Sequence, residues 1–195
     1  MPDGLRERKK LTTRQALGRA ALRLAVERGP ANVRREDIAA AVDVSLRTFS
    51  NYFAGKDEAI VSLAADRATG IVDSLRAEPA DETLRSALIK AFTMPYAVEP
   101  PSREWVAQIR VVVAAPEVQG AYLRAMAGIE RAVVEAIAVR LRAAPGDLRP
   151  RVLAAAACGA ERVAIAHWLD TEGATALPEL IRQALTEVIP GGDTP

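Results

Sequence analysis

Cysteine and histidine are almost absent from this chain, which has one of each, Cys158 and His167, among 195 residues. A single cysteine excludes an internal disulfide framework and fits a reducing compartment. One histidine and one cysteine also leave little material for general-base or nucleophilic catalysis. On one helix, a separation of nine residues places them about 180° apart around the axis, so they cannot form a catalytic dyad. We therefore predict that the protein is not an enzyme.

Long apolar segments are missing as well. The longest uncharged apolar run, residues 152–160, is far shorter than the ~20 residues of a membrane span. Arginines at positions 14, 19 and 23 interrupt the N-terminal region, which therefore lacks the apolar core of a signal peptide. Neither a Gly-rich phosphate loop nor a cluster with metal-ligand spacing occurs. We expect no metal, no cofactor and no membrane partner, and we expect a cytoplasmic location.

Aromatic residues are scarce, at 4% of the chain, so their clustering is informative. Three of them, Phe49, Tyr52 and Phe53, fall within five positions. Apolar residues at helical spacing flank this cluster and a turn at residues 42–44, a pattern typical of two short helices in a helix-turn-helix. The two apolar stripes are Ile38, Ala39 and Val42, then Val44, Phe49 and Phe53.

The second of these helices has one polar face. Ser45 is well placed to cap its start, because its hydroxyl can accept a free backbone N–H of the first turn. With Phe49 and Phe53 turned inward, the residues that face outward are Leu46, Arg47, Ser50 and Asn51. Arginine and asparagine are the residue types that bind guanine and adenine edges in a major groove. A small amphipathic helix on an ordinary globular protein fits the same pattern, so the pattern alone leaves both interpretations open.

Composition favours an all-α fold. Half of the residues are apolar and 26% are charged, which argues against disorder. Alanine is abundant and we find no defensible alternating strand pattern, so helices are expected throughout. We predict about nine helices, and those with clear start or stop signals span about residues 12–28, 56–75, 81–96, 116–142, 147–171 and 177–189.

Charge is spread unevenly along the chain, whose net charge is only +1. Residues 1–58 hold 12 Lys or Arg and 8 Asp or Glu, a net charge of +4, whereas residues 59–195 hold 14 and 17, a net charge of −3. A basic N-terminal unit fits a polyanionic partner for that part of the chain. Residues 1–10 are rich in cations and have little to bury, so they form either a solvated tail or a basic arm that reaches a nucleic-acid backbone or groove. We predict a flexible basic tail that adds affinity for phosphates.

The helix-turn-helix stretch resembles the DNA-binding signature of the TetR family of transcriptional regulators. The resemblance covers about residues 11–62 and implies a helix-turn-helix DNA-binding domain over residues 11–55. It also implies a helical ligand-binding and dimerisation domain over residues 56–189, followed by a flexible tail at 190–195. The residues that carry the resemblance are Ile38-Ala39-Ala40-Ala41-Val42-Asp43-Val44-Ser45, Thr48-Phe49, Asn51-Tyr52-Phe53 and Lys56.

The resemblance also implies roles for single residues. Leu46, Arg47 and Asn51 stand where relatives place base contacts, and Thr48 and Tyr52 stand where relatives contact phosphates or bases at the groove edge. The lysine that begins the fourth helix stands where positive charge and free backbone amides together attract a phosphate. We therefore predict the following DNA-contacting residues: Arg34, Arg35, Ser45, Leu46, Arg47, Thr48, Ser50, Asn51, Tyr52 and Lys56.

Four positions depart from the family pattern. Asp43 replaces the usual glycine of the turn, which Asp tolerates because it accepts a left-handed backbone better than most residues. Ser50 replaces a frequent tyrosine and so removes one large contact. Arg34 and Arg35 replace a Ser or Thr cap and an often apolar residue. These two arginines lie against flanking phosphates or are simply solvated.

The C-terminal half carries Arg103-Glu104-Trp105 and His167-Trp168-Leu169, and is similar to regulators that include the mycofactocin regulator. The resemblance implies a homodimer through the eighth and ninth helices and a small effector that is hydrophobic or acyl-CoA-like. Plain core packing is the alternative for the apolar pocket candidates, and a packed or interface position is the alternative for the histidine. The predicted pocket residues are Phe92, Met94, Trp105, Ile109, Tyr122, Met126, Ile129 and His167.

The functional prediction is a homodimeric TetR-type regulator, a repressor that binds a palindromic operator and is released by its effector. A single helix-turn-helix offers too little contact for specific binding, whereas a dimer presents two recognition helices about one DNA turn apart. The alternative is a TetR-like protein without specific DNA binding that acts as a ligand-binding or interaction module.

Overall fold

A computed structural model describes residues 3–98 and 100–191 of the chain. Residues 1–2 and 192–195 of the two predicted tails lie outside this part. Within it the chain forms nine α-helices, a short 3-10 helix at Pro30–Asn32 and no β-strand, so the predicted all-α fold is confirmed. The helices are α1 (Asp3–Arg28), α2 (Arg35–Ala41), α3 (Leu46–Ser50), α4 (Lys56–Ala77), α5 (Leu84–Val98), α6 (Arg103–Ala114), α7 (Pro116–Arg140), α8 (Leu148–Asp170) and α9 (Leu177–Val188).

The first helix is longer than the sequence predicted. It begins at Asp3 rather than near Thr12, so residues 3–10 form its first turns in place of the predicted flexible tail. The hydroxyl of Thr12 donates to the carbonyl oxygen of Arg8 (2.9 Å) inside the helix instead of capping its start.

The fifth helix also extends further than predicted. We expected Pro95 to end it at about residue 96, but α5 continues to Val98 with Pro95 inside it. Proline removes one helical hydrogen bond and usually kinks or ends a helix. Here Phe92 and Tyr96 are buried on either side of it, so tertiary packing maintains the helix through the proline.

The chain divides into two compact units, and the division differs from the predicted boundary at residue 55. Unit 1 comprises the chain up to Asp66 together with Arg103–Met126, and unit 2 comprises Arg67–Ser102 and the chain from Ala127 onward. Apolar residues at helical spacing along α1 are buried in unit 1, namely Leu17, Ala20, Ala21, Leu24 and Ala25. The largest buried side chains of the unit 1 core are Leu17, Leu24, Ile38, Phe49, Phe53 and Ile60.

Unit 2 is built around α5, α8 and α9. Helix α9 packs against both of the others, and its apolar stripe of Leu177, Ile181 and Leu185 is buried. Polar contacts tie the ends of the helices together. The Arg85 guanidinium donates to the carbonyl oxygen of Ile189 (2.7 Å), so the end of α9 is fixed to the first turn of α5.

Helix α8 is unusually apolar for its degree of burial. It is the one helix of the described residues long and apolar enough to cross a membrane by length and composition, and 28% of its most apolar stretch is buried inside the chain. Its inward face consists of small residues such as Ala154, Ala157 and Ala160. Its outward face includes the exposed side chains of Val152 and Val163. An apolar surface of this kind is usually covered by a partner.

In unit 1, helices α1 and α4 approach closely at Gly18. A Cβ atom at this position would collide with the hydroxyl oxygen of the buried Ser62 and touch Leu63. The Ser62 hydroxyl donates to the carbonyl oxygen of Ala59 (2.8 Å) in its own helix, and this hydrogen bond fixes the orientation of the hydroxyl. Glycine at position 18 is therefore needed for space rather than for backbone freedom.

We expect Gly18→Ala to lower the free energy of unfolding, because overpacking costs about 1–3 kcal/mol and exceeds the gain of about 1 kcal/mol in helix propensity. In the Ser62→Ala background, the same change should be neutral or stabilising. Gly70→Ala is the matched control, since no atom lies within 4 Å of a Cβ at that position in α4. Urea unfolding compares the wild type with four variants, which are Gly18→Ala, Ser62→Ala, the double variant and Gly70→Ala. Equal effects at positions 18 and 70 would contradict the collision.

Candidate nucleic-acid interface

The start of α3 is capped as the sequence predicts. The Ser45 hydroxyl accepts the backbone N–H of Thr48 (3.1 Å), and the two side-chain hydroxyls lie 2.9 Å apart. Helix α3 has only five residues, and so short a helix has little stability of its own. The cap therefore defines where this helix begins, and with it the position of the outward-facing side chains.

The two faces of α3 are also arranged as predicted. Phe49 and Phe53 are fully buried, with ring centroids 5.7 Å apart and planes inclined by 43°. Tyr52 is half-buried and packs against the same core. The exposed side chains are Leu46, Arg47, Ser50 and Asn51. Contact of this polar face with a ligand therefore requires no rearrangement of the core.

The turn between α2 and α3 uses a left-handed residue where the family pattern has glycine. Asp43 adopts φ +54°, as its type and position predict. Backbone hydrogen bonds close the turn, from the N–H of Asp43 to the carbonyl oxygen of Ala40 (3.1 Å) and from Val44 to Ala39 (3.0 Å). The turn therefore keeps its backbone geometry despite the aspartate, at the cost of one negative charge near the exposed face.

A shallow surface depression lies where the start of α2 meets the start of α4. Three cations and two carboxylates contribute to it, so its charge is mixed rather than uniformly positive. The side chains of Arg34 and Arg35 are exposed there, while the backbone N–H of Arg34 is bound by the Asp37 carboxylate (3.2 Å). Asp37 thus satisfies the backbone N–H at the N-cap position of α2, which is the bond from N3 in a capping box. The lining residues are Arg34, Arg35, Glu36, Ala54, Gly55, Lys56 and Asp57.

Lys56 has a structural partner that sequence reasoning missed. Its ammonium donates to the carbonyl oxygens of Pro30 (2.8 Å) and Ala31 (3.2 Å). Pro30 and Ala31 belong to the 3-10 helix that follows α1, and the Pro30 carbonyl also accepts the backbone N–H of Val33 (3.3 Å). Lys56 therefore fastens the 3-10 helix to the start of α4, whatever it contacts outside the chain. No local signal encodes this bond, because the partners are 26 and 25 residues apart.

The remaining candidates for chemistry are separated or inert. Cys158 is half-buried; burial, together with the charges of Glu161 and Glu130, raises the pKa of its thiol to about 12. A thiol of this kind is protonated at neutral pH and is a poor nucleophile. His167 lies on the same helix and is exposed. No group of three or more potential metal ligands occurs in the part of the chain that the structure describes.

Comparisons with known proteins identify the family. Residues 18–61 match the model of the bacterial regulatory proteins of the tetR family, and residues 78–192 match the model of the MftR C-terminal domain. The HTH-type transcriptional regulator TcmR of Streptomyces glaucescens is 32% identical over 173 residues, which is 85% of this chain and 76% of TcmR.

The chain belongs to the TetR family of bacterial transcriptional regulators.

Solved structures of TetR-type regulators share the fold. A regulator from Syntrophomonas wolfei superposes with a TM-score of 0.63 at 19% identity, covering 91% of this chain and 93% of its own. The fatty acid degradation regulator FadR of Bacillus halodurans gives 0.59 at 17% identity, and FadR of Thermus thermophilus, solved with lauroyl-CoA, gives 0.56 at 19%. Both cover 93% of this chain and 97% of their own. The family assignment identifies a transcriptional regulator with a DNA-binding helix-turn-helix domain.

The residues predicted to line an effector pocket do not share one environment in this family member. Phe92 is fully buried in unit 2, whereas Met94, two residues further along α5, and His167 are exposed. Two residues along a helix correspond to about 200° around its axis, so Phe92 and Met94 face opposite ways. The half-buried residues divide between unit 1, with Trp105, Ile109, Tyr122 and Met126, and unit 2, with Ile129.

Proposed function

We propose that this TetR-family protein is a cytoplasmic, homodimeric repressor that binds a palindromic operator and is released by a small effector. The observation that carries the proposal is the exposed face of α3, where Arg47 and Asn51 stand outward while Phe49 and Phe53 anchor the helix from below. Arginine and asparagine are the residues that make paired hydrogen bonds to guanine and adenine. A rigid helix that presents both is suited to the major groove.

A second copy of the chain is the proposed cover for the apolar outer face of α8. Val163 is 64% exposed there, and the face continues through Val152 and the small residues between them. Two-fold pairing buries the same patch on both subunits and doubles the number of recognition helices. A membrane is a poorer partner, because Glu161 and Arg162 interrupt the middle of α8, and each charge costs about 2.5–3.5 kcal/mol at a bilayer centre.

The proposed effector is an apolar or acyl-CoA-like molecule bound within the C-terminal helices. Support comes from the match of residues 78–192 to the MftR C-terminal domain and from the fold shared with Thermus thermophilus FadR, which was solved with lauroyl-CoA. The half-buried side chains of Ile109, Tyr122 and Met126, all in unit 1, are candidates for the lining. Pockets lined mainly by apolar and aromatic groups with few polar ones suit such ligands.

We expect Arg47→Ala to weaken binding to the selected operator by about 1–3 kcal/mol and to relax specificity at one base pair, because a paired hydrogen bond to a base is lost. Binding to random duplex should fall only slightly. Fluorescence anisotropy, with an operator selected from a random duplex pool, measures both affinities at several salt concentrations.

Arg35→Ala is the matched control, since it removes the same charge from an exposed position near the start of α2. It should weaken operator and random duplex alike and reduce the salt slope by about 1. Lys56 is unsuitable here because its loss also removes two hydrogen bonds within the chain. Equal losses on both DNAs for Arg47→Ala would refute its base contact. If the wild-type protein binds every sequence alike, the chain is instead a TetR-like ligand-binding or interaction module.

We expect Val163→Glu to convert the dimer to a monomer, because it places an unpaired charge in the proposed interface. Sedimentation should report a change from twice the 20.8 kDa chain mass to once that mass, with a loss of operator binding. Val139→Glu is the control, since Val139 is 80% exposed on α7. A wild-type monomer, or a Val163→Glu protein that stays dimeric, would contradict this interface.

Lauroyl-CoA should bind saturably and lower operator affinity by about 5–150-fold, the range of common allosteric couplings. The Trp168→Phe variant leaves Trp105 as the single tryptophan, whose fluorescence reports binding while anisotropy reports DNA release. Coenzyme A without an acyl chain is the control and should have little effect. By reciprocity, operator DNA should weaken lauroyl-CoA binding by the same factor. Fluorescence and operator affinity that do not respond to lauroyl-CoA would reject an acyl-CoA effector.

A further inference from the structure

Arg14 connects the middle of α4 to the underside of the recognition helix. Its guanidinium forms an ion pair with the carboxylate of Asp66 in α4, and its Cζ atom lies 5.1 Å from the ring centroid of Phe53. Phe53 in turn packs against Phe49, the inward-facing residue of α3. The Arg14 side chain of α1 therefore contacts both Asp66 in α4 and the ring of Phe53, which belongs to the aromatic pair that packs beneath α3.

This ion pair is not an ordinary surface pair. The Arg14 side chain is 29% exposed and that of Asp66 is 24% exposed, so both charges are largely withdrawn from water. The second carboxylate oxygen of Asp66 is buried and has no hydrogen-bond partner among the described residues. Asp66 therefore depends on Arg14 for its compensation. Losing one member of a partly buried pair leaves an uncompensated charge, which a surface pair does not.

The packing of α1 against α4 holds the two partners in register. Gly18 meets Ser62 one helical turn from the Arg14–Asp66 pair on each helix, as expected for antiparallel neighbours whose contacts repeat every four residues. A guanidinium that is both paired and placed over an aromatic ring has few alternative positions. The geometry therefore leaves Arg14 little freedom to follow one of its two partners without the other.

We propose that Arg14 is a positioning residue that sets the orientation of α3 by coupling Phe53 to Asp66, so that operator affinity depends on the position of α4 at residue 66. This inference rests on the proposed function, because it concerns sequence-specific binding. Asp66 is the last residue of unit 1 before α4 continues into unit 2. A displacement of α4 at this point is transmitted through Arg14 to the aromatic pair beneath the recognition helix.

Asp66→Asn separates this coupling from simple electrostatics. The substitution removes a negative charge from the DNA-binding unit, so electrostatics alone predicts tighter binding to any DNA. Positioning predicts the opposite sign for the operator, because Arg14 loses its anchor and Phe53 is released. The two explanations therefore differ in direction, not only in size.

The test uses the full-length protein with Arg14→Met, Asp66→Asn, the double variant and Arg14→Lys. Arg23→Met is the matched control, because it removes the same charge from an exposed pair in the same helix. We expect Arg14→Met and Asp66→Asn each to weaken operator binding about tenfold. The double variant should be no weaker than the poorer single variant, because both break one link. Arg14→Lys, which retains the ion pair, should recover most of the affinity.

Binding to random duplex supplies the internal reference. It should fall for Arg14→Met no more than for Arg23→Met, and it should stay constant or rise for Asp66→Asn. Circular dichroism at the same temperature verifies that each variant is folded. If Asp66→Asn binds the operator as tightly as the wild type or more tightly, the coupling does not exist.

Amide hydrogen exchange provides a readout without DNA. Residues 46–53 should exchange faster in Arg14→Met and Asp66→Asn than in Arg23→Met, while the α1 amides change little. A uniform increase across unit 1 would indicate a loss of global stability and would overturn the positioning role. This measurement also separates the two proposals. A wild-type protein that prefers no sequence refutes the proposed function, and faster exchange confined to residues 46–53 would still support the link.

Discussion

Burial of Phe49 and Phe53 is the constraint on which the rest of this structure depends. The recognition helix has five residues, too few to be stable from backbone hydrogen bonds alone. Its position is therefore set by the two aromatic side chains beneath it, which lie in the unit 1 core with Ile38 and Ile60. The outward face can be polar and variable because its position does not depend on its own composition. DNA specificity can then change without loss of the fold.

The features that the sequence predicted correctly are those decided by contacts within a few residues. The Ser45 hydroxyl caps α3 by accepting the backbone N–H of Thr48, three residues on. The backbone N–H of Asp43 closes the turn by donating to the carbonyl oxygen of Ala40. The failures are cases in which distant contacts override a local signal. Pro95 sits inside a helix because the side chains around it are buried. Lys56 bonds to Pro30 across 26 residues, a pairing that no local pattern encodes.

The C-terminal half shows a different limit of sequence analysis. Helical periodicity identifies which residues turn inward, and the pocket candidate Phe92 is fully buried. Periodicity does not distinguish an inward face that meets another helix from one that meets a ligand, because both require apolar side chains. Family resemblance supplies the missing expectation of an effector, but it does so for the class of protein rather than for single residues. Arguments about the effector therefore depend on binding measurements.

The net charge of the DNA-binding unit overstates the number of cations that are available to contact DNA. Residues 1–58 hold 12 cations, yet several of them have partners within the chain. Lys56 binds backbone carbonyls, Arg14 is paired with Asp66, and Arg23 and Arg28 lie beside Glu27 and Asp37. Counterion release on DNA binding scales with the phosphates that are neutralised, not with the total number of cations. Exposed cations such as Arg34, Arg35 and Arg47 are thus a better guide to the proposed interface than the net charge. Arg14 and Lys56 instead make contacts within this unit.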